Sequence, residues 1–212
     1  MAILSRLLAG QFARPSGWLG RHLIGPWLDR ISGPMNRLVL AELDLHNDED
    51  VLEIGFGGGA LLTMILERTS GQVTGVDLSS AMVKRARHRF HGNARIRLIE
   101  GSLQALPLAS QSVDKACSVN NLYFWPDPAA ALAELARIVR PGGTLTIGFE
   151  PPEELRKWPG HRFGFRLFSE GEVRRLMEQG GFGSIRRAEG WGRKPDYFLC
   201  LTGERLTEDA AT

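Results

Sequence analysis

The sequence predicts an α/β fold built on one mostly parallel sheet, and three observations predict it. Short apolar runs rich in Val and Ile alternate with helix-length stretches of 3.6-residue periodicity from about residue 50 onward. The first run, Val51 to Ile54, stops in the glycine turn Gly55-Phe56-Gly57-Gly58-Gly59, and an acid, Asp77, closes the next run about twenty residues later. The last two runs have no helix between them, and strands joined so directly must lie antiparallel.

Each element has a local cause. Residues 1–46 carry Pro15, Gly17, Gly20, Gly25, Pro26, Gly33 and Pro34, which break a helical composition into short pieces, and this segment is expected to form a helical N-terminal lid. Residues 47–204 then form the main domain, with 205–212 as a tail. After the first strand, Leu61, Leu62, Ile65 and Leu66 give Ala60 to Thr69 an apolar helical stripe. Gln72 to Asp77 predicts a second strand, Ser80 to Phe90 a second helix and Ile96 to Glu100 a third strand. Val113 to Val119 follows as the fourth. Asp127 as N-cap with Pro128 at the first position starts a helix over Ala130 to Val139. Pro141-Gly142-Gly143 ends it and leads into a fifth strand, Thr144 to Phe149. Ser169 and Glu172 form a capping box for a helix over Glu170 to Gln179, which stops at Gly180-Gly181. Ile185 to Ala188 and Tyr197 to Thr202 are the closing strand pair.

Alternating βα units imply right-handed crossovers with helices on both faces of the sheet. Ligands of such sheets bind at the carboxyl ends of the strands. Gly55 to Gly59, Asp77, Glu100 to Leu103 and Val119 to Trp125 all fall at those ends and converge on one cleft.

Composition narrows the class. At 212 residues the chain accommodates one α/β domain with a modest extension, and 43% hydrophobic with 24% charged residues is ordinary for a globular protein. The apolar runs are strand-sized, far below the roughly 20 residues of a spanning helix. Met1 to Gly10 has no small-residue cleavage site, so a secretory signal is not expected. Cys117 and Cys200 stand far apart in apolar runs and read as buried thiols of a reducing, cytoplasmic protein.

The glycine turn fits two cofactor templates. As GxGxxA, Gly55, Gly57 and Ala60 match a dinucleotide fingerprint with the acid at the offset for NAD. As ExGxGxG, Glu53, Gly55, Gly57 and Gly59 match the turn that holds S-adenosylmethionine. The backbone physics is the same in both.

Wider context separates them. Residues 51–59 (VLEIGFGGG), 75–79 (GVDLS), 100–114 (EGSLQALPLASQSVD), 118–128 (SVNNLYFWPDP) and 135–149 (LARIVRPGGTLTIGF) resemble, in order and spacing, the class I S-adenosylmethionine-dependent methyltransferases. The resemblance spans roughly residues 48–202 and is strongest to the small-molecule branch that includes quinone-biosynthesis enzymes. It implies a Rossmann-like seven-stranded sheet with an antiparallel last strand. It also implies S-adenosylmethionine as methyl donor, S-adenosylhomocysteine as product and no metal. By the same resemblance Gly55, Phe56, Gly57 and Gly59 form the turn under the methionine part, with Glu53 as acidic neighbour. Asp77 would hold the ribose, and Leu78 and Met82 would pack on the adenine. Ser102 and Leu103 would meet the adenine edge and Asn120 the methionine amino group. Ser102 stands where the family often has an acid, and a hydroxyl accepts a hydrogen bond more weakly than a carboxylate. An NAD-dependent oxidoreductase is disfavoured, since neither Tyr is followed four residues later by Lys.

Methyl transfer from a sulfonium needs mainly an O, N, S or C nucleophile held in line with the methyl carbon. A general base would help an OH or protonated NH acceptor, and Tyr123 and His161 are the candidates. Aromatic residues Trp18 and Trp27, Tyr123, Phe124 and Trp125, and Trp158, Phe163 and Phe165 fall in three segments that would roof the methyl end. Of these, Trp18, Trp27, Tyr123, Trp125 and Phe163 are expected to line a pocket for a small apolar or aromatic acceptor. An RNA or protein acceptor is the alternative. Lys84 to Arg97 holds six Lys/Arg and no acid, yet lies off the cleft and reads as a solvated face, so nucleic acid is not expected as a partner. Leu4, Leu7, Leu8 and Phe12 with Arg6 and Arg14 make a weakly amphipathic stretch, for which a lid is favoured over peripheral membrane contact.

Overall fold

A computed structural model describes residues 32–192 and 197–207. The lid aromatics Trp18 and Trp27, and the amphipathic stretch around Leu4 to Phe12, lie outside the described residues.

Seven strands form one sheet in the order β3-β2-β1-β4-β5-β7-β6. They are β1 (Val51–Ile54), β2 (Val73–Asp77), β3 (Ile96–Glu100), β4 (Val113–Val119), β5 (Val139–Phe149), β6 (Phe182–Trp191) and β7 (Tyr197–Arg205). Strands β1 to β5 pair parallel, and β7 runs antiparallel to both neighbours, β5 and β6. The helices are α1 (Gly33–Leu43), α2 (Ala60–Leu66), α3 (Ser80–Arg89), α4 (Pro128–Ile138), α5 (Pro152–Leu155) and α6 (Glu170–Gln179). Asp77 closes β2, the interior strands β1 and β2 are buried along their whole length, and one apolar cluster covers each face of the sheet.

The local signals act as physical chemistry requires. Asp127 Oδ1 accepts from the Ala130 N–H at 3.0 Å and starts α4. Ser169 and Glu172 close a reciprocal capping box on α6, the Glu172 carboxylate accepting from the Ser169 N–H at 2.8 Å. Phe149, Phe168 and Phe182 are fully buried, and each such side chain contributes about 1.5–3 kcal/mol by leaving water.

Helix α1, the final part of the expected lid segment, packs one face into the core while its Asn36 lines the cleft described below. Its Met35, Val39 and Leu43 are buried in the cluster that also holds Val51 of β1. The helix approaches β5 closely, since a Cβ at Gly148 would stand 2.7 Å from the Val39 side chain. Three short elements were not expected from the sequence: α5 and the single 3₁₀ turns at Leu122–Phe124 and Pro159–Arg162.

Candidate active site

The sheet order reverses between β1 and β4, where loops diverge and leave a crevice. A cleft of about 300 Å³ opens there, within the size of small-molecule sites. The register Ile54↔Ser118 sets Gly55 beside the loop that follows β4. Gly55 has φ +72°, and a Cβ on it would lie 2.3 Å from the Asn121 amide nitrogen. The turn therefore needs glycine at this position for both its conformation and its neighbour. Asn121 is held in turn, its Oδ1 accepting from Trp125 Nε1–H at 2.7 Å. Gly57 also has positive φ, at +52°, but no protein atom lies within 4 Å of where its Cβ would stand.

Asp77, 8% exposed, ties the turn to the second strand. Its Oδ2 accepts from the Gly57 N–H at 2.9 Å and its Oδ1 from the Ser79 N–H at 2.8 Å. Glu53 is buried at the floor, and Leu78, exposed at the mouth, with Leu103 gives the cleft an apolar edge. Ser102 Oγ accepts from the Gln104 N–H at 3.3 Å, which commits part of its acceptor capacity to the loop.

The β4–β5 end is walled by aromatics. Phe165 meets Phe124, Trp158 and Tyr123 at ring-centroid distances of 4.6, 5.3 and 5.6 Å. The Tyr123 hydroxyl accepts from the Glu150 N–H and lies 3.3 Å from Asn120 Oδ1. Burial first, and the nearby Glu150 charge second, push its phenol well above the ordinary value. Tyr123 is thus a wall with a fixed hydroxyl, unsuited to taking a proton near neutrality. Asn120, at the end of β4, adopts φ +50° and donates its N–H to the Gly148 carbonyl.

Glu53, Gly55, Phe56, Gly57, Asp77, Leu78, Ser102, Leu103, Asn120, Tyr123 and Trp125 all line this one cleft. Four expected residues sit elsewhere. Met82 is fully buried, because the phase of α3 turns it with Ala86 into the core. Gly59 has φ +82° and lies behind the turn, where a Cβ would meet the Phe90 ring at 3.1 Å. His161 donates from Nδ1 to the Trp158 carbonyl at 2.6 Å and is outside the cleft lining. Phe163 is also outside the lining; Gly164, at φ +89°, redirects the chain and Phe165 takes the wall position. Asn121, Gln104 and Glu150 line the cleft without having been singled out by the sequence reading. Among the described residues no group of His, Cys, Asp and Glu is placed to hold a metal ion, and no helix is long and apolar enough to cross a membrane.

Comparison with known proteins agrees with this geometry. Residues 52–147 match the methyltransferase domain family. The chain is 33% identical to the uncharacterized methyltransferase YdaC of Bacillus subtilis (strain 168) over 173 residues, covering 81% of this chain and 91% of YdaC. It is 36% identical over 105 residues to a demethylmenaquinone methyltransferase of Corynebacterium kroppenstedtii, covering 50% of this chain but only 43% of that protein. A solved SAM-dependent methyltransferase from Aquifex aeolicus shares the fold at a TM-score of 0.68, with 23% identity, covering 84% of this chain and 92% of that one. The chain belongs to the class I S-adenosylmethionine-dependent methyltransferases. The residues present fit that cofactor: a glycine turn bare toward the cleft at Gly57, the buried Asp77 carboxylate beside it, and an apolar edge at Leu78 and Leu103.

Proposed function

We propose that this methyltransferase modifies a small apolar or aromatic acceptor by in-line displacement. The observation that carries the reading is the aromatic end of the cleft, formed by Tyr123, Phe124, Trp158 and Phe165. S-adenosylmethionine supplies a methyl group on a sulfonium, already a good leaving group. The chain then has to orient and enclose. Gly55 and Gly57, with Glu53 and Asn120, would hold the methionine end, Asp77 the ribose, and Leu78, Ser102 and Leu103 the adenine. The aromatic walls exclude water and offer ring faces toward an acceptor, and π-faces suit the dispersing positive charge of methyl transfer. Ring packing also positions the acceptor, the largest contribution available when no strong base is required. The demethylmenaquinone methyltransferase relative is named for a small-molecule acceptor, which supports the same class here.

The test is release of S-adenosylhomocysteine by the purified protein across a panel of aromatic alcohols, aliphatic alcohols and thiols, alongside tRNA. The reading expects turnover with aromatic members and no salt-sensitive tRNA binding. Turnover on tRNA alone, with affinity falling steeply with salt, would contradict it.

A further inference from the structure

Two described residues line the cleft from ahead of the matched domain, Ser32 and Asn36 at the start of α1. Asn36 is 5% exposed, and its backbone N–H is spent on the Ser32 carbonyl at 2.8 Å. Its side-chain amide makes no hydrogen bond to any described residue. Burying an amide is unfavourable unless its donors are met, and the cleft is where a ligand can meet them. Ser32 is the N-cap of α1, yet its side chain makes no capping bond. Four residues apart, the two share one helix face, and helical side chains lean toward the N-terminus, so both polar groups gather at the first turn. That turn also carries backbone N–H groups with no intrahelical partner, which make the end of this 11-residue helix electropositive.

The start of α1 lies at the methionine end of the cleft. A Cβ at Gly148 would stand 3.1 Å from Met35 Cγ, and the Gly148 carbonyl accepts the Asn120 N–H at 3.0 Å. Helix α1 packs on β4, β5, β6, β7 and α2, whereas Asp77 and Ser102 belong to the β2 and β3 side of the sheet. The aromatic wall comes from the opposite face: Tyr123 and Trp125 lie in one apolar cluster, Met35, Phe56 and Leu61 in the other. Asn36 therefore shares a face with the glycine turn and not with the acceptor wall. S-adenosylmethionine carries a carboxylate at its methionine end. Among the described lining residues there is no Lys, Arg or His, so that carboxylate depends here on neutral donors and a helix end.

We propose that Asn36 and Ser32, with the N-terminus of α1, form the binding site for the methionine carboxylate of S-adenosylmethionine. The Asn36 amide and the Ser32 hydroxyl donate to its oxygens, and the helix end favours its charge. This rests on the placement of the methionine end beside Glu53 and Asn120. It makes cofactor recognition depend on a helix that precedes the matched domain and is packed into the core.

The test is calorimetry with S-adenosylhomocysteine and with its decarboxylated counterpart, S-adenosyl-3-thiopropylamine, which keeps the nucleoside, thioether and ammonium. Wild type is expected to bind S-adenosylhomocysteine about 10- to 100-fold more tightly, the range for hydrogen bonds to a charged group. Asn36→Ala should cut that preference about 10-fold through S-adenosylhomocysteine alone, leaving the decarboxylated ligand within about twofold of wild type. Ser32→Ala should cut it in the same direction and by less. Asn36→Asp, of nearly the same shape but anionic, should weaken S-adenosylhomocysteine more than Asn36→Ala does. An unchanged preference in Asn36→Ala, or equal weakening of both ligands, would overturn the assignment while leaving the cofactor reading intact. Tighter S-adenosylhomocysteine binding by Asn36→Asp would put the ammonium at α1 and also overturn it. Failure of wild type to bind S-adenosylhomocysteine at all would refute the placement of the cofactor as well.

Discussion

Replacing Gly55 by Ala should damage the protein in a way that replacing Gly57 does not. Both glycines have positive φ, +72° and +52°, where a side chain costs about 1–2 kcal/mol. At Gly55 the new methyl would also stand 2.3 Å from Asn121 Nδ2 and 2.4 Å from its Cγ, so the amide must leave. That breaks the 2.7 Å bond from Trp125 Nε1–H, whose indole is 6% exposed, and adds about 1 kcal/mol. The sum is about 2–3 kcal/mol for Gly55→Ala in the absence of ligand, against about 1–2 kcal/mol for Gly57→Ala. At roughly 2–4 °C per kcal/mol for a chain of this size, Gly55→Ala should melt roughly 4–12 °C below wild type. Gly57→Ala should instead act on binding, since Gly57 lines the cleft and its added methyl would stand in open space. Urea unfolding without ligand and S-adenosylhomocysteine calorimetry separate the two effects. Asn121→Ala combined with Gly55→Ala should recover about 1 kcal/mol of the sum of the single losses. Equal unfolding losses for both glycines, with strictly additive Asn121→Ala, would refute the contact.

Two further outcomes follow from the site and its surroundings. Tyr123→Phe should destabilise the fold by about 1–2 kcal/mol, because the part-buried Glu150 N–H loses its acceptor, yet leave the pH dependence of turnover between pH 6 and about 9 unchanged; a rise of turnover with pH that is present in wild type and lost in Tyr123→Phe would restore Tyr123 as a proton acceptor. Glu134 is held below the usual carboxylate range chiefly by its hydrogen bonds to Arg137, at 2.8 Å from Nε and from Nη2. A depressed carboxylate stabilises fully above its unfolded value and loses that contribution as pH falls through the folded one. Glu134→Gln should therefore cost about 1 kcal/mol at pH 7, and the gap from wild type should close as pH drops from about 4.5 toward 3; a pH-independent gap in urea unfolding would show packing alone.

Elements with local causes were legible in the sequence. Asp127-Pro128 and the Ser169/Glu172 box set helix starts within one turn of chain, so their outcome does not wait on tertiary structure. The closing antiparallel pair was legible because no helix lies between the strands, though its wider extent, Phe182–Trp191 and Tyr197–Arg205, depends on pairing with β5 and across the hairpin. What escaped depends on long-range register. Asn121 meets Gly55 only because β1 and β4 are neighbours, and Glu150 reaches the cleft only because β5 lies beside β4. Met82 shows the opposite limit: a motif position suggested a ligand contact, and helix phase put the side chain in the core.

The central claim is that the turn at Gly55–Gly59 and the ribose-holding Asp77 together bind S-adenosylmethionine, and calorimetry tests it most directly. Wild-type protein is titrated with S-adenosylhomocysteine and with NAD, and the first titration is repeated on Asp77→Ala. Binding of S-adenosylhomocysteine and not NAD is expected, with Asp77→Ala weakening it by about 1–3 kcal/mol through unmet ribose hydroxyls and the released Gly57 and Ser79 N–H groups. Tight NAD binding without S-adenosylhomocysteine binding, or an affinity unchanged by Asp77→Ala, would contradict it.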